Sequence, residues 1–315
     1  MSTTVVPPGA NTNPPVSAVP TAHTGNLTVG FTAAFFTLLL WDGFLLISRF
    51  GLRADMAALD LAALRFGVGF LVTAPIMFMV GMAGLSLTRC LVIGTAAGLG
   101  FPLMAYHGFQ LAPAAHAAVL MPGCLPLFTV LFGALIGLER IGPIRWLGLG
   151  GIALGAALLL VASGGAGAPG QWLGDLLFLG GAASWAVYTV AAKAWKVPPL
   201  NGVAVIGVFS ALVYVPIYAL FVFDGLPPVP TEMLVIQGLY HGVVATVLAL
   251  FTFATAVRHI GAANATMILS FTPALATVAA IPVLGEVPDP LSWVGLALVT
   301  LGLITAVLAT RHERG

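Results

Sequence analysis

Charge is what this chain has least of. Asp, Glu, Lys and Arg together make up 7% of its 315 residues, while 60% are hydrophobic. A soluble domain carries roughly 25% charged residues, so this chain cannot cover a water-facing surface. A formal net charge of +1 also argues against nucleic acid as a partner. Cysteine is nearly missing: Cys90 and Cys124 lie in separate apolar runs, which excludes a disulfide framework and reads as packing in a reduced or lipidic setting. His-Glu-x-x-His, Gly-x-Ser-x-Gly and clustered carboxylates are absent, so the common signatures of hydrolytic and metal-dependent enzymes are missing. Gly164-Gly165-Ala166-Gly167 lacks the Lys-Ser/Thr of a phosphate cradle. ATP-driven pumping by this chain is therefore excluded, and neither a cofactor nor a metal site is expected. Residues 1–26 contain no Lys or Arg and no apolar core. They do not make a secretory signal and read as a disordered tail.

What the chain has instead is long apolar runs, with a mean hydropathy of +1.08. Ten of them reach the roughly 20 residues needed to cross a bilayer as a helix. Their approximate limits are 28–48, 58–81, 88–110, 114–137, 144–163, 172–193, 200–223, 232–257, 262–285 and 290–310. The runs do not alternate apolar and polar residues, so a β-barrel, the other spanning solution, is ruled out. The predicted fold is an all-α membrane protein of ten transmembrane helices.

The stretch 111–160 occurs twice. Pro126 and Pro273, Glu139 and Glu286, Pro143 and Pro290, Trp146 and Trp293, Gly148 and Gly295, and Gly155 and Gly302 all differ by 147 positions. Trp41 and Trp185, and Arg49 and Lys193, match at an offset of 144. This is an internal duplication. It divides the chain into a first repeat at 27–165 and a second at 170–310, with a C-terminal tail at 311–315. Eight Lys and Arg residues fall on the side of the N-terminus: Arg89, Arg140, Arg145, Lys193, Lys196, Arg258, Arg311 and Arg314. The other side has Arg49 and Arg53, with Arg65 just inside the second span. The positive-inside rule then puts both termini in the cytoplasm. Each repeat has an odd number of spans, so the second enters the membrane inverted relative to the first. Inverted repeats are a recurring plan of secondary transporters, with the substrate site near the midplane.

Trp41, Leu64-Arg65-Phe66, and a proline followed by Leu284-Gly285-Glu286 or, in the first copy, Gly137-Leu138-Glu139 resemble the EamA domain of the drug/metabolite transporter superfamily. The resemblance covers about residues 28–310. It implies a basket of ten helices around a central cavity, lined by the first, third and fourth helices of each half. Tyr106-His107 also resembles the aromatic amino-acid exporter branch.

Candidate cavity residues are Trp41, Asp42, Tyr106, His107, Trp185, Tyr188, Tyr240, His241 and Asn264. Asp42 is a carboxylate at membrane depth, which faces a cavity or a partner; it is a candidate proton carrier, and pairing with Arg65 is the competing reading. Trp185 and Tyr188 share a helical face that suits stacking. His107, Tyr240 and His241 are hydrogen-bonding groups on matched spans, and helix–helix contacts compete with a cavity role for each of them. His116 reads as an interface residue. Pro122, Pro126 and Pro273 free backbone carbonyls inside spans and mark kinks or hinges. Arg65, Glu139 and Glu286 read as structural charges that pair or cap helix ends. Small-residue spacings such as Gly94-xxx-Gly98 read as packing and leave a homodimer open. The expected partners are a small-molecule substrate and the lipid bilayer. The leading expectation is an inner-membrane secondary transporter that exports a small metabolite, such as an amino acid, by alternating access. A membrane-embedded enzyme and a non-transporting scaffold are the alternatives.

Overall fold

In the computed structural model the description covers residues 26–312 except Arg140 and Ala166, with backbone alone at 310–312. The expected N-terminal tail, bar Asn26, and the last residues of the chain lie outside it. The helices are α1 Leu27–Arg53, α2 Ala58–Val80, α3 Leu87–Leu111, α4 Ala114–Leu135, α5 Pro143–Gly165, α6 Gln171–Ala194, α7 Pro199–Phe221, α8 Thr231–Leu269, α9 Thr272–Leu284 and α10 Pro290–His312. Among the described residues nine of these helices are long and apolar enough to cross a bilayer, and α9 is a shorter apolar helix.

The ninth crossing is hidden in α8, which breaks at Gly261. That residue has φ 80° and ψ 155°, a region that glycine reaches at little cost. Contacts with α1 show that the chain reverses there. Gln237 Nε2 donates to the Ile47 carbonyl near the end of α1, and His259 Nδ1 accepts from the Asn26 amide at its start. Arg49, near the end of α1 again, bonds Glu286. Residues 231–260 therefore run antiparallel to α1, and 262–284 return. The return crossing is itself broken at Ser270–Phe271, directly before Pro273.

The two halves meet about a pseudo-twofold axis, most clearly where α5 packs on α10. A Cβ on Gly148 would lie 2.8 Å from the Gly302 carbonyl, and one on Gly155 would lie 2.6 Å from the Gly295 carbonyl. Gly148 is the mate of Gly295, and Gly155 of Gly302. The contact is thus reciprocal, as a twofold axis requires. Without side chains the two backbones approach closely, as small residues allow in lipid.

Symmetry extends to an irregularity. Gly94–Gly100 within α3 and Tyr240–Leu248 within α8 are π-helical, and the two segments overlap at the offset of 147. Such wide turns leave carbonyls to be satisfied in apolar surroundings. Ser184 Oγ on α6 donates to the Ala96 carbonyl at 2.8 Å, and Thr246 Oγ donates to the His241 carbonyl at 2.9 Å.

The glycine contact gives a direct test. Gly148→Ala should lower the thermal unfolding midpoint of the detergent-solubilised protein, by the equivalent of about 1–3 kcal/mol for overpacking. Gly150→Ala, where nothing lies within 4 Å of the added methyl, should leave it unchanged or raise it. Equal effects would mean that the α5–α10 approach is not close.

Candidate substrate cavity

A cavity of about 130 Å³ lies between the halves. A single water needs roughly 10–15 Å³ on the same measure, so the space holds on the order of ten waters or one small metabolite. Its lining comes from the first, third and fourth crossings of each half. Trp41, Phe44 and Leu45 come from α1, Phe101 from α3, and Met121, Pro122 and Leu125 from α4. Ala182 and Trp185 come from α6, Ala245 from α8 and Thr272 from α9. Arg65 on α2 completes it. Trp41 and Trp185 are mates in the duplication, as are Leu125 and Thr272, so the pseudo-axis passes through the cavity.

The walls are largely apolar and aromatic. Phe101 packs on Trp185 with ring centroids 4.9 Å apart. Besides the two tryptophans, the polar residues on the lining are Arg65 and Thr272. Arg65 sits over the Phe44 ring at 5.6 Å. Its Nη1 and Thr272 Oγ1 are buried with no hydrogen-bond partner. Buried donors left unmade are costly. The sequence assigned Arg65 a structural charge, with pairing to Asp42 as one of two readings. In the structure Arg65 lies on the cavity lining over Phe44, while Asp42 lies near Tyr240 on α8.

The other sequence candidates divide. Tyr106 and His241 are fully buried behind Phe44, at centroid distances of 6.2 and 5.4 Å from its ring. They form a second layer to the wall. His241 Nε2 lies 3.0 Å from Gln237 Oε1, while the Tyr106 hydroxyl faces the Arg65 side chain. Tyr188 packs on Trp185 at 5.4 Å, and Tyr240 donates from its hydroxyl to the Leu40 carbonyl at 2.9 Å. His107 Nδ1 donates to the Leu103 carbonyl at 2.8 Å and Asn264 Nδ2 to the Ile260 carbonyl at 2.7 Å. Asn264 lies on an exposed helix face, so neither of these two is brought to the cavity. Asp42 is buried with both carboxylate oxygens unbonded. Of the kink prolines, Pro122 lines the cavity, Pro126 follows one turn on, and Pro273 follows Thr272.

Each end of the bundle is tied by a carboxylate. Glu286 accepts from Arg49 Nε at 2.7 Å and caps α4 by accepting from the Ala114 amide at 2.7 Å. Glu139 accepts from Lys193 Nζ at 2.5 Å and from Arg145 Nη1 at 2.9 Å. Arg49 and Lys193 are mates, as are Glu139 and Glu286. One bond between the halves thus occurs twice, once at each end.

Sequence reasoning missed Asp175, which lies inside the apolar run of α6 and contacts His116. The signal was there, since a carboxylate within a span is functional by default.

Ten crossings in two inverted halves around an aromatic, cation-bearing cavity define a multi-pass membrane transporter. The chain belongs to the EamA-like transporter family, which matches residues 28–161 and 172–308. It is similar to the "Uncharacterized inner membrane transporter YedA" of Escherichia coli (strain K12), with 23% identity over 88% of this chain and 90% of that one. It is also similar to the "Uncharacterized transporter YwfM" of Bacillus subtilis (strain 168), with 33% identity over 45% of this chain. That alignment spans about half of the relative, 47% of its length. A solved structure titled "Crystal structure of protein" shares the fold, with a TM-score of 0.59 and 23% identity over 91% of this chain and 99% of that one.

The tie at Glu139 predicts a pH dependence. Burial opposes ionisation of this carboxyl, but Lys193 and Arg145 outweigh it and hold the group below its ordinary value of 4.5. Stabilisation by a depressed carboxyl is present above that value and is lost as pH falls below it. The unfolding midpoint of the wild type should drop on acidification below about pH 4.5, and Glu139→Gln should flatten that part of the profile. An unchanged slope would count against the tie.

Proposed function

We propose that the chain is an inner-membrane secondary transporter that exports a small amphipathic metabolite bearing a carboxylate, such as an amino acid with an apolar side chain. The observation that carries this reading is the cavity's composition. Aromatic walls suit an apolar body, and one buried guanidinium with an unmade bond suits one carboxylate. A substrate with several phosphates finds no second cation there. The mechanism is alternating access by rocking of the inverted halves. In this reading the bonds of Glu139 to Lys193 and Glu286 to Arg49 act as gates at the cytoplasmic and outer ends, with both termini cytoplasmic. Asp42, unbonded on both oxygens, is the deep carboxylate that carries a coupling proton without first breaking an ion pair.

The test is a thermal-shift comparison of L-leucine and L-phenylalanine with their amides on purified protein, followed by efflux from proteoliposomes. An amino acid should stabilise the wild type, its amide should do so at least tenfold more weakly by apparent affinity, in line with loss of a charge-assisted bond, and Arg65→Ala should erase the difference. Equal binding of acid and amide would sink the carboxylate reading. Efflux of a bound amino acid should respond to an imposed pH gradient, and Asp42→Asn should abolish that response. A response that survives the substitution removes Asp42 from coupling.

A further inference from the structure

At the Arg49–Glu286 end of the bundle, two turns away from the cavity, lies a buried polar chain that the cavity does not use. It draws on both halves. His116 on α4 and Ser163 on α5 belong to the first, and Asp175 on α6 and Ser292 on α10 to the second. All four are buried, with Asp175 at 0% exposure. His116 Nδ1 lies 3.0 and 3.1 Å from the two oxygens of Asp175, and His116 Nε2 lies 3.2 Å from Ser292 Oγ. Ser163 Oγ donates to Asp175 Oδ2, and Ser292 Oγ donates to Asp289 Oδ2. Gln171 Nε2 donates to Ser163 Oγ at 3.2 Å. Asp289 is exposed, in the loop before α10.

One arrangement satisfies every contact. With the single Ser292 hydroxyl hydrogen given to Asp289, the contact at Nε2 takes its hydrogen from the imidazole, and Nδ1 meets the oxygens of Asp175, so that both ring nitrogens donate. Oxygens and nitrogens in hydrogen-bond reach run without a gap from the exposed carboxylate to Asp175. The duplication does not repeat this chain. At the offset of 147 His116 corresponds to Ala263 and Ser292 to Arg145, and at 144 Asp175 corresponds to Phe31. One end of the molecule has the chain and the other does not, although the carboxylate ties occur at both.

We propose that His116 and Asp175 form a proton-binding site, wired to the outer face by Ser292 and Asp289, whose occupancy holds the outer ends of the two halves together. A proton leaving His116 Nε2 passes to Ser292 Oγ as the Ser292 hydrogen passes to Asp289, and the Asp289 carboxyl then releases one proton to bulk water. Neutral His116 keeps its Nδ1 hydrogen on Asp175, and the buried pair is left with one net negative charge. Burial of that charge is costly, so the ends part and water enters. Proton uptake runs the wire in reverse and closes the ends.

The groups that face His116 are Asp175 from α6, Asp289 from the loop before α10, and Glu286 with Arg49 and Arg53 one turn away at the start of α4. Asp289 supports the assignment. Its slight burial opposes ionisation, but the Ser292 hydroxyl, the Ser292 and Leu291 amides and the charge on His116 outweigh this and hold its carboxyl below the usual range. The site rests on the transport reading only in its effect on opening. Proton binding itself can be measured without a substrate.

The experiment is a pH titration of ¹⁵N-histidine-labelled full-length protein in lipid nanodiscs, with His116→Gln assigning the signals. The His116 ring should carry two hydrogens at neutral pH and exchange them with water, and Ser292→Ala and Asp289→Asn should each slow that exchange by at least an order of magnitude. A singly protonated His116 throughout the range, or exchange unchanged in both wire variants, would overturn the site. Spin labels at Gln110→Cys and Trp172→Cys, both exposed positions, should move apart from about pH 6 to about pH 9 around the range where histidine titrates, and should not do so in Asp175→Asn. A pH-independent separation would overturn the latch and leave the proton site standing. Absence of amino-acid binding in the earlier assay would overturn the substrate reading alone.

Discussion

The structure depends on one close approach, the glycine stripe along which α5 and α10 meet. Lipid offers no hydrophobic drive between two apolar helices, so their association rests on contact area and backbone proximity. Gly148, Gly155, Gly295 and Gly302 supply that proximity reciprocally. The reciprocity makes the two halves equivalent about an axis in the membrane plane. The pairings of α2 with α7, α1 with α8 and α3 with α6 follow from the same operation. Val299, Leu159 and Ile152 pack into the spaces that the glycines leave, so the contact is fixed by shape as well as by backbone proximity.

Charge follows from the bilayer. Among the described residues the Arg and Lys ion pairs with Glu lie at the two ends of the bundle, where water and headgroups lessen their desolvation cost. Among the described residues, His116 and Asp175 are the acid and base that meet buried within the spans. The interior cation, Arg65, has no carboxylate beside it. A guanidinium at that depth is tolerated when it lines a cavity, and its position over Phe44 gives the positive charge an aromatic face to rest on. In the proposed reading that cation and its unmade bond are what receive an anionic group.

Much of this was written in the sequence. The duplication paired Trp41 with Trp185, and both line the cavity. It also paired Arg49 with Lys193 and Glu139 with Glu286, and those two matches together are the two end bonds. Legibility fails at azimuth. In a helix that is apolar all round, nothing in the sequence says which side faces a cavity and which faces a neighbour or lipid. Arg65 points inward although its neighbour Phe66 packs against Tyr214. Tyr106 and His241 lie one layer too deep, behind Phe44. Asn264 is on an exposed face, where it bonds across the break at Gly261 to the Ile260 carbonyl. The break at Gly261 was placed correctly between two crossings, but a helix count by length merges them.

The duplication also sorts the residues by what they do. Features that occur in both halves build the frame: the glycine stripe, the wide helical turns, the tryptophan walls and the carboxylate ties. The polar groups inside the membrane are not repeated. At offsets of 144 or 147 Arg65 corresponds to Phe209, Asp42 to Ala186, Tyr106 to Phe253 and His116 to Ala263. A frame that is symmetric about the midplane treats its two faces alike, so any preference for one face has to come from groups that break the symmetry. Arg65 and the His116–Asp175 chain are such groups. One is in the cavity wall and the other is at one mouth only, which is where an asymmetry must sit to distinguish a molecule arriving from one side from a molecule arriving from the other.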